Sequence, residues 1–420
     1  MAETTAPVMT PARPALDNNL LAALAAAAGE SADGLGRRVA ALARYEAAAA
    51  PDRVKHLWRF TDPAKLLPAV VDAKVGGCRP PAAVPGASAT IDLCPGQAPV
   101  VALGEGLPAG ALELVPVAAS AWHGDDLFAA LNEAAWNTGV GLVVADGVKL
   151  AGPIHVRVHA GTDATMPRIV LTVGRNAEAM LVEQHVGGGG DRRVASRTEI
   201  TAGSDSRVRH AIVQVWAPGT SGHLSVNARA HSGADVLTVC GVFGGENTKL
   251  EIGTELVGAG AHSEIVGVTM VTDKQHGDVH TSHRHLAGKT TSRIDFKAVA
   301  AEQARSTYTG LIRIDDAARH CEAYQVNRNL LLSSRARADA IPELEIHNQE
   351  VSCSHGATIA PVEEDQLFYL ESRGLDRGEA LGLVVGGFLE NTLARLPDEV
   401  RTMVESFVGP RLATIREGTA

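Results

Sequence analysis

The sequence predicts a mainly β protein whose core is a parallel β-solenoid with helical regions at both ends. Short segments of alternating polar and apolar residues follow one another from about residue 141 to 359, as in β-strands. Glycine-led turns recur among them at intervals of 30, 27 and 28 residues, at Gly203, Gly233, Gly260 and Gly288. A β-sandwich also has short strands, but the near-constant interval favours stacked coils.

The low aromatic content agrees with this fold class. Phe, Trp and Tyr make up only 4% of the chain, whereas hydrophobic residues make up 45%. The core must therefore be filled by Val, Ile, Leu and Ala, which suits thin, tightly stacked layers.

The changes in pattern along the chain predict four regions. Residues 1–16 are rich in Thr, Pro and Ala, which predicts a disordered tail. Residues 17–140 form a helical and mixed region, with helical patterns in "LDNNLLAALAAAAGES" and "DDLFAALNEAAWNTG". Residues 141–359 are the solenoid core, and residues 360–420 are a C-terminal helical domain.

The C-terminal region has clear helix signals and more apolar surface than a short cap needs. Gly374 follows "VEEDQLFYLESRG", and Asp376 with Glu379 predicts a capping box. We expect this apolar stripe to dock on the solenoid and to offer a face to a partner protein, because apolar surface left in water is unfavourable. The expected partner-binding residues are Phe368, Arg373, Leu381, Val385, Phe388 and Phe407.

The composition restricts the partners and the compartment. A net charge of −10 argues against nucleic acid and against anionic membranes, which attract basic surfaces. No apolar run approaches the roughly 20 residues of a membrane helix, and the N-terminus lacks a signal-peptide pattern. The five cysteines include no CxxC pair, which predicts free thiols in a reducing compartment. We therefore expect a cytoplasmic protein without integral membrane contact.

The usual enzyme motifs do not occur in this sequence. There is no phosphate-binding loop ending in Gly-Lys-Ser/Thr and no GxSxG turn. The glycine-rich "GGGGDRR" (187–193) fits a loop between strands. Solenoid enzymes that act on polysaccharides use clustered Asp, Lys and Arg on one face. A solitary solenoid enzyme with a polymeric substrate is therefore an alternative function.

Four histidines lie within ten residues, at His276, His280, His283 and His285. His283 and His285 share one face of a predicted strand, as metal ligands can. No nearby set of acids and cysteines completes a tetrahedral site. We therefore interpret the group as surface histidines of an exposed loop and strand.

A second pair of potential ligands is Cys353 and His355 in "VSCSHGAT". Residues i and i+2 of a strand share one face, and a thiolate beside an imidazole can bind iron or zinc. A buried cysteine next to a hydrogen-bonded histidine fits the same pattern equally well. The residues alone leave both interpretations open.

The segment "PELEIHNQEVSCSHGATIAPVEEDQLFYLESRG" (342–374) resembles the C-terminal signature of the SufB/SufD family, the scaffold of the SUF iron–sulfur cluster assembly machinery. "LWRFTD" (57–62), "LNEAAWNTGVGLVV" (131–144) and "QVNRNLLLS" (325–333) are similar to other parts of that family. The resemblance extends from about residue 45 to 410. It implies a right-handed parallel β-helix between helical ends and a non-catalytic scaffold function.

Within the family, the chain resembles the SufD branch. SufB-type chains have a cysteine six residues before the proline that precedes the LEI-like strand. Here that proline is Pro342, and the position is Ala336. The resemblance implies pairing with SufB through the β-helix and binding of the ATPase SufC by the C-terminal helices. When isolated, the chain is also a candidate homodimer.

The resemblance also assigns a role to the Cys353 and His355 pair. It implies that His355, with Cys353 beside it, lies at the SufB interface where a nascent iron–sulfur cluster forms. That cluster would be shared with SufB, and the ATPase activity would reside in SufC. No stably bound cofactor is expected in the isolated chain.

Overall fold

The structure is a computed structural model of the 420-residue chain. It describes residues 13–51, 56–76, 82–117 and 126–417. The tail predicted for residues 1–16 lies outside the described residues up to residue 12. None of the helices in these ranges is long and apolar enough to cross a membrane.

Two sheets of ten strands each run the length of the core. Sheet A contains, in spatial order, β2 (Val100–Leu103), β1 (Ala89–Leu93), β5 (Ile154–Ala160), β8 (Glu178–Gly187), β10 (Arg207–Gln214), β12 (Asp235–Val242), β14 (His262–Val271), β16 (Thr291–Ala300), β18 (Cys321–Leu331) and β20 (Val351–Pro361). Sheet B contains β3 (Leu112–Val115), β4 (Thr138–Val144), β7 (Pro167–Val173), β9 (Arg193–Ala202), β11 (Ser221–Ala230), β13 (Asn247–Leu256), β15 (His276–His285), β17 (Arg305–Ile314) and β19 (Arg337–Ile346), with β6 (Ala164–Thr165) beside β9.

The chain alternates between the two sheets, so that each pair of strands forms one coil. Neighbouring strands are parallel throughout the coils. The pairings of β1 with β2 and of β3 with β4, at the N-terminal end, are antiparallel. This is a parallel β-solenoid between helical ends, which confirms the predicted fold class and rules out the sandwich.

A column of left-handed residues at one corner sets the repeat. Residues with positive φ recur at intervals of 27 to 31 residues, at Gly147, Asn176, Asp205, Gly233, Gly260, Lys289 and His320. Each donates its backbone N–H to a carbonyl oxygen of the next coil. Gly203 and Gly288 lie at the same corner, but Asp205 and Lys289 take the left-handed conformation there. Gly203 is required by space, since a Cβ at that position would lie 2.9 Å from Val173 O.

The N-terminal helices cover one outer part of the solenoid. They are α1 (Asn18–Ala27), α2 (Ala32–Ala47), α3 (His56–Arg59) and α4 (Leu127–Ala135). The Asp17 carboxylate accepts a hydrogen bond from Leu20 N at 2.8 Å and so caps the N-terminus of α1. Trp58 stacks on Phe128 with ring centroids 5.2 Å apart, and this joins "LWRFTD" to α4.

The C-terminal helices lie along the outer face of sheet A. They are α5 (Glu364–Ser372), α6 (Arg377–Leu393) and α7 (Asp398–Glu417), and the capping box of Asp376 and Glu379 is present. Buried side chains of α6 and α7 pack on an apolar strip of sheet A that includes Val213, Val239, Val268 and Met270. Polar contacts reinforce the packing, since Arg395 pairs with Glu264 and Asp295 of the sheet.

The cysteines differ in state. Cys240, Cys321 and Cys353 are free thiols, whereas Cys94 is disulfide-bonded. The expectation that the cysteines are all free is therefore wrong at Cys94. Sequence spacing cannot reveal a pairing that depends on which residues the fold brings together.

Candidate functional site

The C-terminal end of the solenoid is open. β19 and β20 are the last strands of their sheets, and within the described chain nothing pairs with their outer edges. Their inner faces have no further coil to cover them, so Ile346 is 40% exposed and Ile359 is 45% exposed. An edge with free backbone N–H and C=O groups and exposed isoleucines is a ready template for a strand from another chain.

Cys353 and His355 both lie on β20 at this open end. Ala323 is the register partner of Cys353, and Gln325 is that of His355. Gln325 is buried and donates to Gly310 O across the interior at 3.3 Å. Both candidate residues therefore occupy inner-face positions of the last coil, as the i, i+2 spacing predicts.

The two side chains have different surroundings. Cys353 is half-buried and packs against the interior apolar cluster, whereas His355 is exposed. Burial raises the pKa of the Cys353 thiol, and the neighbouring Cys321 thiol raises it further. The thiol is therefore mainly protonated until a cation or a base removes its proton. His355 offers an accessible imidazole at the same edge.

The described residues do not supply a complete metal site at this end of the solenoid. Across the ranges that the structure describes, no three His, Cys, Asp or Glu residues are arranged to hold a metal ion. Cys353 and His355 can therefore supply part of a ligand set. Any remaining ligands must come from another residue of the chain, from solvent or from a molecule bound at the open edge.

Two of the four histidines of β15 are not surface residues, and for these two the interpretation as surface histidines is wrong. His283 and His285 point into the solenoid and are fully buried. His283 Nε2 lies 2.9 Å from Ser263 Oγ, and the His285 ring nitrogens lie 2.7 Å from Thr290 Oγ1 and 2.9 Å from Ser292 Oγ. Burial lowers the pKa of His283 far below the usual range and that of His285 to about 4, so both rings are neutral.

A second polar cluster in the interior was not anticipated from the sequence. The Glu183 carboxylate accepts from His185 Nε2 at 2.6 Å, from His210 Nε2 at 3.3 Å and from Thr198 Oγ1 at 2.8 Å. Burial alone would raise the pKa of Glu183, but these hydrogen bonds and the imidazole charges hold it at about 2. The signal that could have found the cluster is Glu183 and His185 at i, i+2 on one strand, facing His210 of the next coil.

The residues expected to bind a partner through the C-terminal helices fall into two groups. Leu381 and Val385 are buried, and both pack against the outer face of sheet A. The Phe407 ring stacks on Phe243 with centroids 6.1 Å apart, and Lys297 Nζ lies 5.1 Å from the centre of the Phe388 ring. These four side chains therefore serve mainly to attach the helices to the solenoid.

The remaining two expected residues are exposed. Phe368 is 72% exposed, and the guanidinium of Arg373 lies over the Tyr369 ring at 5.2 Å. Tyr369 and Leu383 are themselves 57% and 53% exposed. Tyr369 and Leu383 line a shallow depression of about 480 Å³ between α5 and α6. A compact group of exposed aromatic and aliphatic side chains is typical of a protein-binding surface.

Comparison with known proteins identifies the family. Residues 156–388, more than half of the chain, match the family described as "SUF system FeS cluster assembly, SufBD core domain". A SufBD family protein of Mycobacterium bovis is 33% identical over 201 residues, which cover 48% of this chain and 24% of that protein.

Two further relatives match longer parts of the chain. A SufBD family protein of Synechocystis is 29% identical over 294 residues, 65% of this chain and 63% of the relative. The iron–sulfur cluster assembly protein SufB of Bacillus subtilis is 28% identical over 284 residues, 66% of this chain and 60% of the relative. The matched part thus spans less than two thirds of each of these relatives. The parallel solenoid and the matched core domain together show that the chain belongs to the SufBD family of iron–sulfur cluster assembly proteins.

Proposed function

We propose that this chain is a SufD-like, non-catalytic scaffold subunit that pairs with SufB and the ATPase SufC to assemble iron–sulfur clusters. The observation that carries the proposal is the open end of the solenoid, where two unpaired strand edges meet Cys353 and His355. Family membership favours this interpretation over a solitary solenoid enzyme acting on a polymer. Ala336, which stands where SufB-type chains have a cysteine, favours the SufD branch.

The open edge suits a partner strand for two reasons. Strand addition satisfies the backbone N–H and C=O groups that β19 and β20 leave without partners in the described chain. It also covers Ile346 and Ile359, which supply apolar area on both strands of the last coil. A SufB strand placed there would lie directly beside Cys353 and His355, so that the nascent cluster could take ligands from both chains.

The ATPase would bind at the other exposed surface. Phe368 on α5 and Arg373, the residue directly after α5, remain available, whereas Leu381 and Val385 are covered by sheet A. Because α6 and α7 are packed on the solenoid, a movement imposed on these helices by SufC would be transmitted to sheet A through contacts such as Arg395 with Asp295. The proposed contact residues are therefore Phe368 and Arg373 rather than the whole set of six.

The proposal is tested by anaerobic co-expression with SufB and SufC, followed by purification and by assays of iron and sulfide. Ile346→Lys and Ile359→Lys place charges at the open end and should release SufB. Val101→Lys is the matched control, because Val101 is 37% exposed on the edge strand β2 at the opposite end. If all three variants retain SufB and load clusters as the parent does, the open end is not the SufB interface.

Release of SufB by Val101→Lys alone would move the interface to the N-terminal end. A chain that purifies as a homodimer and never binds SufB would contradict the proposed function.

A further inference from the structure

Cys321, a buried free thiol, lies on the strand next to Cys353 at the open end. The register pairs Cys321 with Val351 and Ala323 with Cys353, so the two cysteines sit diagonally on adjacent parallel strands. Both occupy inner-face positions, since Cys321 is buried in the interior cluster against which Cys353 packs. Cys321 and His355 thus flank Cys353 on opposite sides along the strand direction.

The spacing of the two thiols excludes a disulfide but permits a metal ion between them. Strands about 4.8 Å apart, with a rise of about 3.3 Å per residue, place the two Cα atoms roughly 8 Å apart. A disulfide requires about 4.4–6.8 Å between Cα atoms, so the pair is too wide to form one without backbone movement. A metal ion between the two sulfur atoms spans a longer distance than a disulfide, because each metal–sulfur bond is about 2.3 Å long.

The surroundings of Cys321 hold its sulfur in a polar setting. Thr290 Oγ1 lies 3.1 Å from Cys321 Sγ, and Ala287 O and Ala318 O each lie 3.5 Å from it. Thr290 Oγ1 in turn lies 2.7 Å from His285 Nδ1. The Thr290 hydroxyl donates to Ala287 O at 3.0 Å, so it can accept a hydrogen bond from the Cys321 thiol. Once the thiol proton has left, rotation of the hydroxyl lets it donate to the thiolate instead.

We propose that Cys321 and Cys353 together bind a thiophilic divalent cation such as Fe²⁺ or Zn²⁺ as a bis-thiolate. Binding forms two metal–sulfur bonds and releases the two thiol protons to solvent, with no electron transferred. The remaining coordination positions face the open end, where water, sulfide or a group of another chain can occupy them. The inference deepens the proposed function, on which it rests for the source and use of the cation. The binding itself is a property of this chain alone.

Co²⁺ titration of the isolated full-length chain under anaerobic conditions tests the inference, because cobalt thiolates give a near-ultraviolet charge-transfer band. The parent should show the band, and Cys321→Ser and Cys353→Ser should each weaken Co²⁺ binding roughly tenfold or more. Cys240→Ser is the matched control, since Cys240 is a buried free thiol whose desolvation raises its pKa to about 12. His355→Ala should keep the band, because the band arises from the bonds between cobalt and the thiolates of Cys321 and Cys353.

Unchanged Co²⁺ affinity in Cys321→Ser, or a band that is lost in His355→Ala but not in Cys321→Ser, overturns the inference in favour of the Cys353 and His355 pair. If Cys321→Ser does not fold, alkylation of Cys353 in the parent gives the answer. Zn²⁺ should slow that alkylation, and Thr290→Val, which removes the hydroxyl beside Cys321, should reduce the protection. Equal protection in Thr290→Val, or no protection in the parent, also overturns it. Metal binding by both thiols in a chain that fails to bind SufB would contradict only the proposed function.

Discussion

Gln325 and His355 occupy successive positions of one inner-face column, the first fully buried and the second exposed at the open end. The same backbone geometry therefore gives two consequences for a polar side chain. Gln325 must satisfy its amide within the interior, where it donates to Gly310 O. His355 is free to interact with a molecule that covers the end of the solenoid.

Replacement of His355 should separate stability from function. His355→Ala should change the free energy of unfolding by less than about 0.5 kcal/mol, as is usual for exposed positions. In the complex with SufB and SufC that we propose, it should lower the iron and sulfide content, because an accessible imidazole at the open edge is lost. Urea unfolding and metal assays on the same preparations measure both effects. Normal cluster content in a stable variant would show that His355 is not a site residue.

His283 is the matched comparison for that variant, since it is a histidine of the same interior but is fully buried. His283→Ala removes the ring and its contact with Ser263 Oγ at 2.9 Å and leaves a cavity between the sheets. We expect a loss of about 2–4 kcal/mol of stability. Urea unfolding at neutral pH provides the measurement. A loss as small as that of His355→Ala would mean that the interior relaxes around the cavity.

Stability should fall as the pH drops from about 6.5 to about 4. In the folded state the pKa values of His283 and His285 are lowered, that of His285 to about 4. Below the ordinary histidine pKa of about 6.5, the unfolded chain therefore binds more protons than the folded chain. His285 alone can account for a loss of about 3 kcal/mol at the lower end of this range. In His285→Gln the midpoint of urea unfolding should vary less with pH between about pH 6.5 and about pH 4.5. The pKa of Glu183 is lowered from 4.5 to about 2, so the stability that this carboxylate adds is lost only as the pH falls below about 4.5. An unchanged slope in His285→Gln would contradict the assignment.

The repeat and the open-end pair were predictable because both depend on local periodicity. Strand alternation places Cys353 and His355 on one face, and the turn interval reveals the coil length. Alternation cannot tell which face of a strand is the interior when both faces carry polar residues, and this is why His283 and His285 were misplaced on the surface. Glu183 was missed for the same reason, since its partner His210 comes from the next coil.

The apolar stripe of the C-terminal helices shows a different limit of prediction from sequence. Leu381 and Val385 have the spacing of an apolar face, but spacing does not identify the surface that this face covers. The structure assigns it to the strip of sheet A that includes Val213 and Val268. Deletion of residues 375–420 would expose that strip, so loss of SufC binding in such a truncation could arise from misfolding. Single substitutions are the cleaner test of the surface.

Phe368 and Val385 should therefore respond in opposite ways. Phe368→Ser removes a side chain that is 72% exposed, so the free energy of unfolding should change by less than about 0.5 kcal/mol while SufC binding weakens. Val385→Ala opens a cavity under α6, where Val385 is 0% exposed, and should cost about 1–3 kcal/mol of stability. Because the exposed surface stays intact in Val385→Ala, SufC binding by the folded fraction should be unchanged. Isothermal titration with purified SufC and urea unfolding of both variants measure these effects. Full SufC affinity in Phe368→Ser, together with lost affinity in a folded Val385→Ala, would place the ATPase contact on α6 instead of on the exposed side of α5.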